Sequence, residues 1–529
     1  MDNVLLKIIA SVVTAVLLCI GTNKGVGAMQ QSGYKNGVFY RWLTRKDNLF
    51  FNRIAVLALC LALASAVTSL CFSFLGTMGG LLVSAIPFFV LCLAFIWSES
   101  KYALKVPYKA TARFNRLFVA YVLLTAVAAF GLIVFLSYLS KWNGSILYGL
   151  IAYVPVAVLP ICLPYILCLA NGILSIFENA RNKKYVKRAG QVLDQTKIIR
   201  IGVVGSYGKT SVKNILKTLL LEKYSVVETP ESYNTPLGIA KTVFSDNFKD
   251  KEIFIAEMGA RRKGDISTLC KLVKPDYAIF TGVCAQHLQT FGSLENIYKE
   301  KSEILYCGAK TVVCGENLRE YITEKPACVI YANEAKELTM SATKTKFTLS
   351  ICGEKVKIET PLLGEGNAEN IALCVRLCEE LGMTKEEIER GLAKIIPVPH
   401  RLQLIENGGV YILDDGYNCN PRGAKQAIAA LSRFEGRKCI VTPGIVECGI
   451  LEESINEALG ADIAAANLDK IILVGDTLVG AVKEGYLAAG GDNEKLVTTK
   501  TLVLAQEELS KWITAGDAVL FLNDLPDVY

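Results

Sequence analysis

Five apolar runs crowd the first third of the chain and constrain its fold more than any other feature: Val4 to Ile20, Ile54 to Leu75, Gly79 to Trp97, Leu117 to Leu139, and Ile146 to about Phe177. A bilayer core of about 30 Å is crossed by about 20 helical residues, and inside it a helix satisfies its own backbone polar groups. The expectation is an N-terminal bundle of about five transmembrane helices over residues 1–180. The fifth run is over-long and holds Pro155, Pro160 and Pro164, which predicts a kinked or partly re-entrant helix. The first run reads as a span rather than a cleaved leader, because Asp2 precedes Lys7 where a leader carries a basic cluster.

Charge orients these runs. Residues 1–185 hold 16 Lys and Arg against 4 Asp and Glu, and the remainder holds 41 against 46. The basic residues fall in alternate connections. One has Lys24, Lys35, Arg41, Arg45, Lys46 and Arg53; the next has Lys101, Lys105, Lys109, Arg113 and Arg116; the last has Arg181, Lys183, Lys184, Lys187 and Arg188. The connections around Gly76 and Trp142 are nearly uncharged. Positive loops stay on the cytoplasmic side, so the pattern predicts a multi-pass plasma-membrane protein, amino terminus outside, with its polar half in the cytoplasm. That half is net acidic, which argues against a nucleic-acid partner. The 17 cysteines form no Cys-x-x-Cys pair, which argues against a zinc ribbon or a disulfide framework.

From Lys197 onward short β-rich runs alternate with helical patterns. "IIRIGVV", "EIFIAEMG" and "DYAIFTGV" read as buried strands, and Val212, Ile215, Leu216, Leu219 and Leu220 share one helical face. After the prolines of "IIPVPHRLQ", the runs "VYILDDG", "RKCIVTPG", "KIILVGD" and "DAVLFLND" supply further strands. The alternation predicts an α/β fold with mostly parallel sheets, one domain over 190–395 and another over 398–529.

The first strand runs into Gly205-Ser206-Tyr207-Gly208-Lys209-Thr210-Ser211. The strict phosphate-loop pattern fails, since Val203 stands where its first glycine belongs. The physics survives: a glycine turn and a helix amino terminus aim backbone N–H groups at one point, with Lys209 as a cation and Thr210 as a magnesium-reaching hydroxyl. Glu257 and His287 follow the next two buried strands, so both belong on the sheet edge that carries the loop. They read as magnesium ligands or orienting groups, or else as a surface charge and a core histidine. Lys301 falls inside the apolar stripe Leu294, Ile297, Tyr298, Ile304 and Leu305. Either burial depresses its pKa, leaving an amine able to form a carbamate, or its stem packs while the ammonium reaches water.

Read together, "GVVGSYGKTS", "SYNTPLGIAKT", "AEMGARRKGDI", "CAQHLQTFGSLENIYKEKSEI", "GEGNAENIA", "PHRLQ" and "DDGYNCNP" resemble the successive signatures of the Mur ligase family, in particular its MurF-type branch. The resemblance covers about residues 198–529. It implies ATP bound by the loop, with Lys209 on the β- and γ-phosphates and a first magnesium on Thr210 and Glu257. A second magnesium would sit on His287, bridged by a carbamate on Lys301. Asn370 matches the adenine contact, and Arg401 and Asp415 match groups that close over the phosphates and ribose. The implied reaction joins a carboxylate acceptor to an amino-acid or short-peptide amine through an acyl phosphate.

The chain also departs from that branch. Membrane runs replace the usual soluble UDP-sugar-binding domain, and Gly366 stands where a histidine is usual. "LFLNDLPDVY" replaces a Lys-Gly-Ser-Arg motif, and "VTPGIVECG" lacks an acidic residue. These changes point away from a UDP-linked acceptor and toward one tethered to the membrane, such as a lipid-linked cell-wall precursor, or toward a growing acidic polymer. The alternatives are a poly-γ-glutamate synthase-like polymer ligase and an ATP-binding scaffold without catalysis.

Overall fold

The structure, a computed structural model, describes residues 4–44, 48–72, 76–101, 108–139, 146–286, 288–417 and 419–522. It comprises two compact units, Met1–Arg181 and Asn182–Leu525.

The first unit is helical, with long helices at Val4–Gly21, Phe50–Phe72, Gly76–Ser100 and Ala112–Leu139 and the first part of Ile146–Gln195. Among the described residues two helices are long and apolar enough to cross a membrane, Ala112–Phe135 and Val158–Gln195. A third arises if Lys7–Gly21 and Asn23–Gln31, bent by 54°, form one broken span. Phe50–Ala64 and Ile86–Ser100 are shorter apolar helices, so the expected count of five is met only in part. The bend falls at Thr22, whose hydroxyl donates to Leu18 O at 2.8 Å, a back-bond of the kind that bends helices. The over-long fifth run forms one continuous helix from Ile146 to Gln195 that passes through Pro155, Pro160 and Pro164 without re-entering. Proline is tolerated in such apolar helices because local adjustment satisfies the freed carbonyls again.

Ala112–Phe135 is apolar on both faces. Leu117, Tyr121, Thr125 and Ala129, four residues apart, are buried, while Val119, Leu123 and Val127 are 56–68 % exposed. A helix apolar all round belongs inside a large core or in lipid. The basic connections also carry buried counter-charge: Glu99 pairs with Lys24 and Arg53, and Glu178 with Arg116 and Arg181.

The second unit holds three sheets. The first comprises β1 (Ile199–Val204), β2 (Val226–Glu228), β3 (Ile253–Glu257), β4 (Tyr277–Phe280), β5 (Thr311–Cys314) and β6 (Val329–Tyr331), in the order β2-β3-β1-β4-β5-β6. Every pairing in it is parallel. The helix Lys209–Leu220 packs on one face with Glu365–Glu380, through Val212, Ile215, Leu216, Ile371 and Val375. The other face is covered by Asp265–Val273 and by the end of the long helix, where Ala189 and Leu193 are fully buried. Each large apolar side chain buried this way contributes about 1.5–3 kcal/mol.

A small antiparallel sheet, β7 (Lys336–Met340), β8 (Thr345–Ile351) and β9 (Glu354–Thr360), follows. It adds Phe347, Leu349 and Ile351 to the first sheet's core. Its signal in the sequence was the strict alternation of "TKFTLSI". The last sheet comprises β10 (Gln403–Asn407), β11 (Val410–Asp415), β12 (Lys438–Thr442), β13 (Lys470–Val474), β14 (Leu496–Thr499) and β15 (Ala518–Leu522), ordered β10-β11-β15-β12-β13-β14. Only its edge hairpin β10–β11 is antiparallel. There Gly408 and Gly409, at φ 59° and 79°, make the tight turn that other residues resist.

Candidate active site

Parallel strands deliver their carboxyl ends to one edge, and ligands bind where the strand order switches direction. In the first sheet the chain moves from β1 out to β2, back to β3, and then crosses to β4. The glycine loop leaves β1 at that crossing. Gly205 (φ 155°) and Gly208 (φ 72°) adopt backbone angles that favour glycine. A Cβ on Gly205 would stand 1.9 Å from Thr281 Oγ1, and one on Gly208 would stand 2.6 Å from Asn370 Oδ1. The loop is held against the turn after β4. Ser206 N donates to Gly282 O at 2.8 Å, and Thr281 Oγ1 donates to Tyr207 O. No side chain caps the helix Lys209–Leu220 at Gly208, so its first-turn N–H groups, Ser211 among them, remain for an anion.

Two lysines converge on the turn. Lys209 Nζ donates to Gly205 O at 2.8 Å, and Lys301 Nζ donates to the same oxygen at 3.1 Å from 96 residues downstream. Lys301 is 2 % exposed, so its ammonium does not reach water. Burial, and then repulsion from Lys209, pushes its pKa down to about 7. Burial also lowers the pKa of Lys209, with Glu257 opposing the shift and Arg401 adding to it.

Glu257, 2 % exposed at the end of β3, accepts from Thr210 Oγ1 at 3.0 Å on one oxygen and from Asn234 Nδ2 at 3.2 Å on the other. Asn234 lies in the "SYNTPLGIAKT" stretch, where no local periodicity marks it as a carboxylate partner. Lys213 Nζ stands 3.4 Å from the same carboxylate. Its sequence signal was its place with Leu216 and Leu220 on the buried helical stripe. His287 lies outside the described residues.

The C-terminal sheet reaches the same place. Arg401 lies over the Tyr417 ring at 4.4 Å and donates to Tyr417 O at 2.9 Å. Burial lowers its pKa, while the nearby carboxylates of Asp415 and Glu257 support its charge. Asp415 accepts from Leu402 N at 3.0 Å, and burial pushes its pKa up to about 6. Asn370, 7 % exposed, lies beside Gly208.

Arg422, from the helix Pro421–Leu431, joins the two halves. It donates to Glu369 at 2.6 and 2.8 Å and to the hydroxyl of Tyr207 in the glycine loop. No periodicity announces that contact, because it joins residues 215 apart. At Gly366 an added Cβ would meet Gln426 Oε1 at 2.5 Å, so the space beside this glycine is filled from the C-terminal side.

The donors suit a hard cation. Thr210 and Glu257 offer oxygen only, beside a phosphate-type loop, as magnesium prefers when it shares its shell with nucleotide oxygens. Among the described residues no group of three or more His, Cys, Asp and Glu side chains gathers to hold a metal.

Comparisons with known proteins match the two α/β domains. The family model for the Mur ligase middle domain matches residues 203–378, and that for the Mur ligase glutamate ligase domain matches residues 400–522. The UDP-N-acetylmuramoyl-tripeptide–D-alanyl-D-alanine ligase of Bacillus subtilis is 30% identical over 341 residues, 61% of this chain and 72% of that protein. Its Escherichia coli counterpart is 26% identical, over 60% of this chain and 73% of its own length. Among solved structures, the MurF ligase of Thermotoga maritima in complex with ADP matches with a TM-score of 0.58 and 28% identity, covering 66% of this chain and 81% of that one. Both domain matches, the relatives and the shared fold place this chain in the Mur ligase family of ATP-dependent, ADP-forming amide ligases.

Proposed function

We propose that this protein is a membrane-anchored ligase of peptidoglycan-type cell-envelope synthesis that activates a carboxylate with ATP and joins it to an amine. The observation that carries this reading is the convergence of Lys209, Thr210, Glu257 and Lys301 around one glycine turn, with Arg401 reaching it from the C-terminal sheet.

The loop amides and Lys209 would hold the β- and γ-phosphates. A substrate carboxylate oxygen would then attack the γ-phosphorus, ADP would leave, and the resulting acyl phosphate would be opened by the amine nitrogen with loss of phosphate and a proton. Lys209 would offset the charge that builds when one anion attacks another, and in a dry site such an ion counts for more than in water. Thr210 and Glu257 would hold magnesium, which supplies further charge neutralisation at the transferring phosphoryl group. Asn370 would contact the adenine, and Arg401 and Asp415 would close over the phosphates and ribose. Lys301, with its pKa near 7, has a neutral amine available for a carbamate, and Lys209 beside it would support the resulting anion. His287 would complete a second magnesium site with that carbamate.

Anchoring rests on the apolar, outward-facing side chains of Ala112–Phe135 and Val158–Gln195 and on the basic connections, which favour the amino terminus outside and the ligase in the cytoplasm. A tethered enzyme works at high local concentration on a lipid-linked acceptor. Alkaline washing of membranes tests it: the chain should stay with the lipid pellet, and its release into the wash would refute a spanning segment.

The decisive assay uses the detergent-purified full chain with ATP and magnesium, candidate amines including D-alanyl-D-alanine, and lipid-extracted or UDP-linked acceptors. Phosphate release together with an acceptor mass increase equal to the amine minus water is the expected result. Glutamate-dependent turnover without acceptor would favour a polymer ligase, and nucleotide binding without turnover on any pair would favour a scaffold.

A further inference from the structure

Lys213, in the second turn of the helix Lys209–Leu220, is 1 % exposed. Its Nζ donates to Thr229 O at 2.7 Å and to Glu231 O, and lies 3.4 Å from Glu257 Oε2. Three acceptors match the three protons of an ammonium. Packing alone would be served by a leucine, as at 216 and 220 on the same stripe. A buried cation is retained here against its desolvation cost, so its partners define its use.

Those partners form one assembly. Glu257 Oε2 also accepts from Thr210, its Oε1 accepts from Asn234, and its backbone N donates to Thr229 Oγ1 at 3.1 Å. Glu231 is held at φ 44°, a conformation most side chains avoid. Ser232 Oγ accepts from Tyr417 OH at 2.9 Å, and the Tyr417 ring lies beneath Arg401. The segment 229–234 therefore touches the carboxylate on one side and the C-terminal half on the other, with the Lys213 ammonium bonded to it from below the site.

We infer that Lys213 is a positioning residue: it turns the Glu257 carboxylate toward Thr210 and pins segment 229–234, so that magnesium-nucleotide binding depends on a side chain that touches neither. The inference rests on the reading that Thr210 and Glu257 hold the magnesium of a bound nucleotide.

The test is ADP binding to the full chain in detergent, measured by calorimetry with and without magnesium. Wild type should bind ADP more tightly with magnesium. In Lys213→Met that tightening should shrink by about 10- to 100-fold, the usual cost of removing a group that orients a metal ligand. Magnesium-free ADP binding should change little, because Lys209 and the loop amides remain. Lys213→Gln keeps a donor for the carbonyls but not the charge, so it disturbs folding less and should show the same loss. Hydrogen exchange should quicken in segment 229–234 in both variants.

Variants that fold and retain the full magnesium effect with unchanged exchange overturn the inference. So does failure of both to fold, which would make the lysine a structural element only. A wild-type chain whose ADP binding ignores magnesium would instead overturn the functional reading on which the inference stands.

Discussion

Lys209→Met is expected to lower kcat/KM for ATP by about a thousandfold or more, with the chain still folded. The magnitude follows from comparable phosphate-transfer sites, where one positioned cation is worth about 10³–10⁵ in rate. Lys209 is bonded to Gly205 O and held by a turn whose glycines admit no Cβ, so its charge is already in place before the phosphates arrive. Methionine keeps the apolar stem and removes only the ammonium. That change removes a half-buried cation and, with it, the smaller of the two influences that depress Lys301; burial, the larger, remains, so the Lys301 pKa should rise only in part. The variant should therefore lose turnover without losing thermal stability. Steady-state phosphate release and a melting curve measure the two effects; a loss of under tenfold would mean that the glycine turn does not handle phosphate.

Lys301→Met carries the second large effect, and it divides between activity and pH. Turnover should fall by about 10²–10³, the range seen when one preorganised electrostatic group is removed. Stability should move the other way. The folded pKa of Lys301 is about 7 against an ordinary 10.5, so between those values the unfolded chain holds a proton that the folded chain does not. Stability from this group therefore rises with pH across that window, by up to about 1.4 kcal/mol per pH unit, and its cost is fully felt below pH 7. In buffers free of carbon dioxide, wild type should melt later at pH 9 than at pH 6.5. The Met variant should show a flatter profile and the higher melting point at pH 6.5. Parallel profiles for the two proteins would mean that Lys301 is solvated, contrary to its burial.

Local periodicity made much of this protein readable. The strands around "IIRIGVV", "EIFIAEMG" and "KIILVGD" are continuous apolar runs because parallel strands are covered on both faces, and β1, β3 and β13 lie where those runs fall. The stripe that holds Lys301 left open whether its ammonium is buried or reaches water, and the structure buries it. The β7–β9 sheet is a weaker signal than the buried runs, because its half-exposed strands alternate, as in "TKFTLSI", rather than running apolar throughout. The apolar segments were legible in composition, but the bend at Thr22 and the unbroken proline-bearing helix were not. Both depend on hydrogen bonds and neighbours rather than on hydropathy.

By itself the sequence determined the alternation of strands and helices, the glycine turn with its lysine and threonine, and the apolar character of the first third. Each is a property of neighbouring residues and their spacing. Only the tertiary structure decided that Lys301 meets the glycine turn, that Lys213 and Asn234 meet the Glu257 carboxylate, and that Tyr417 bonds Ser232 beside them. Those meetings depend on the order β2-β3-β1-β4 and on the C-terminal sheet docking over it. A contact between chain-distant groups has no period to announce it, and its energy is realised only once both partners have left water together.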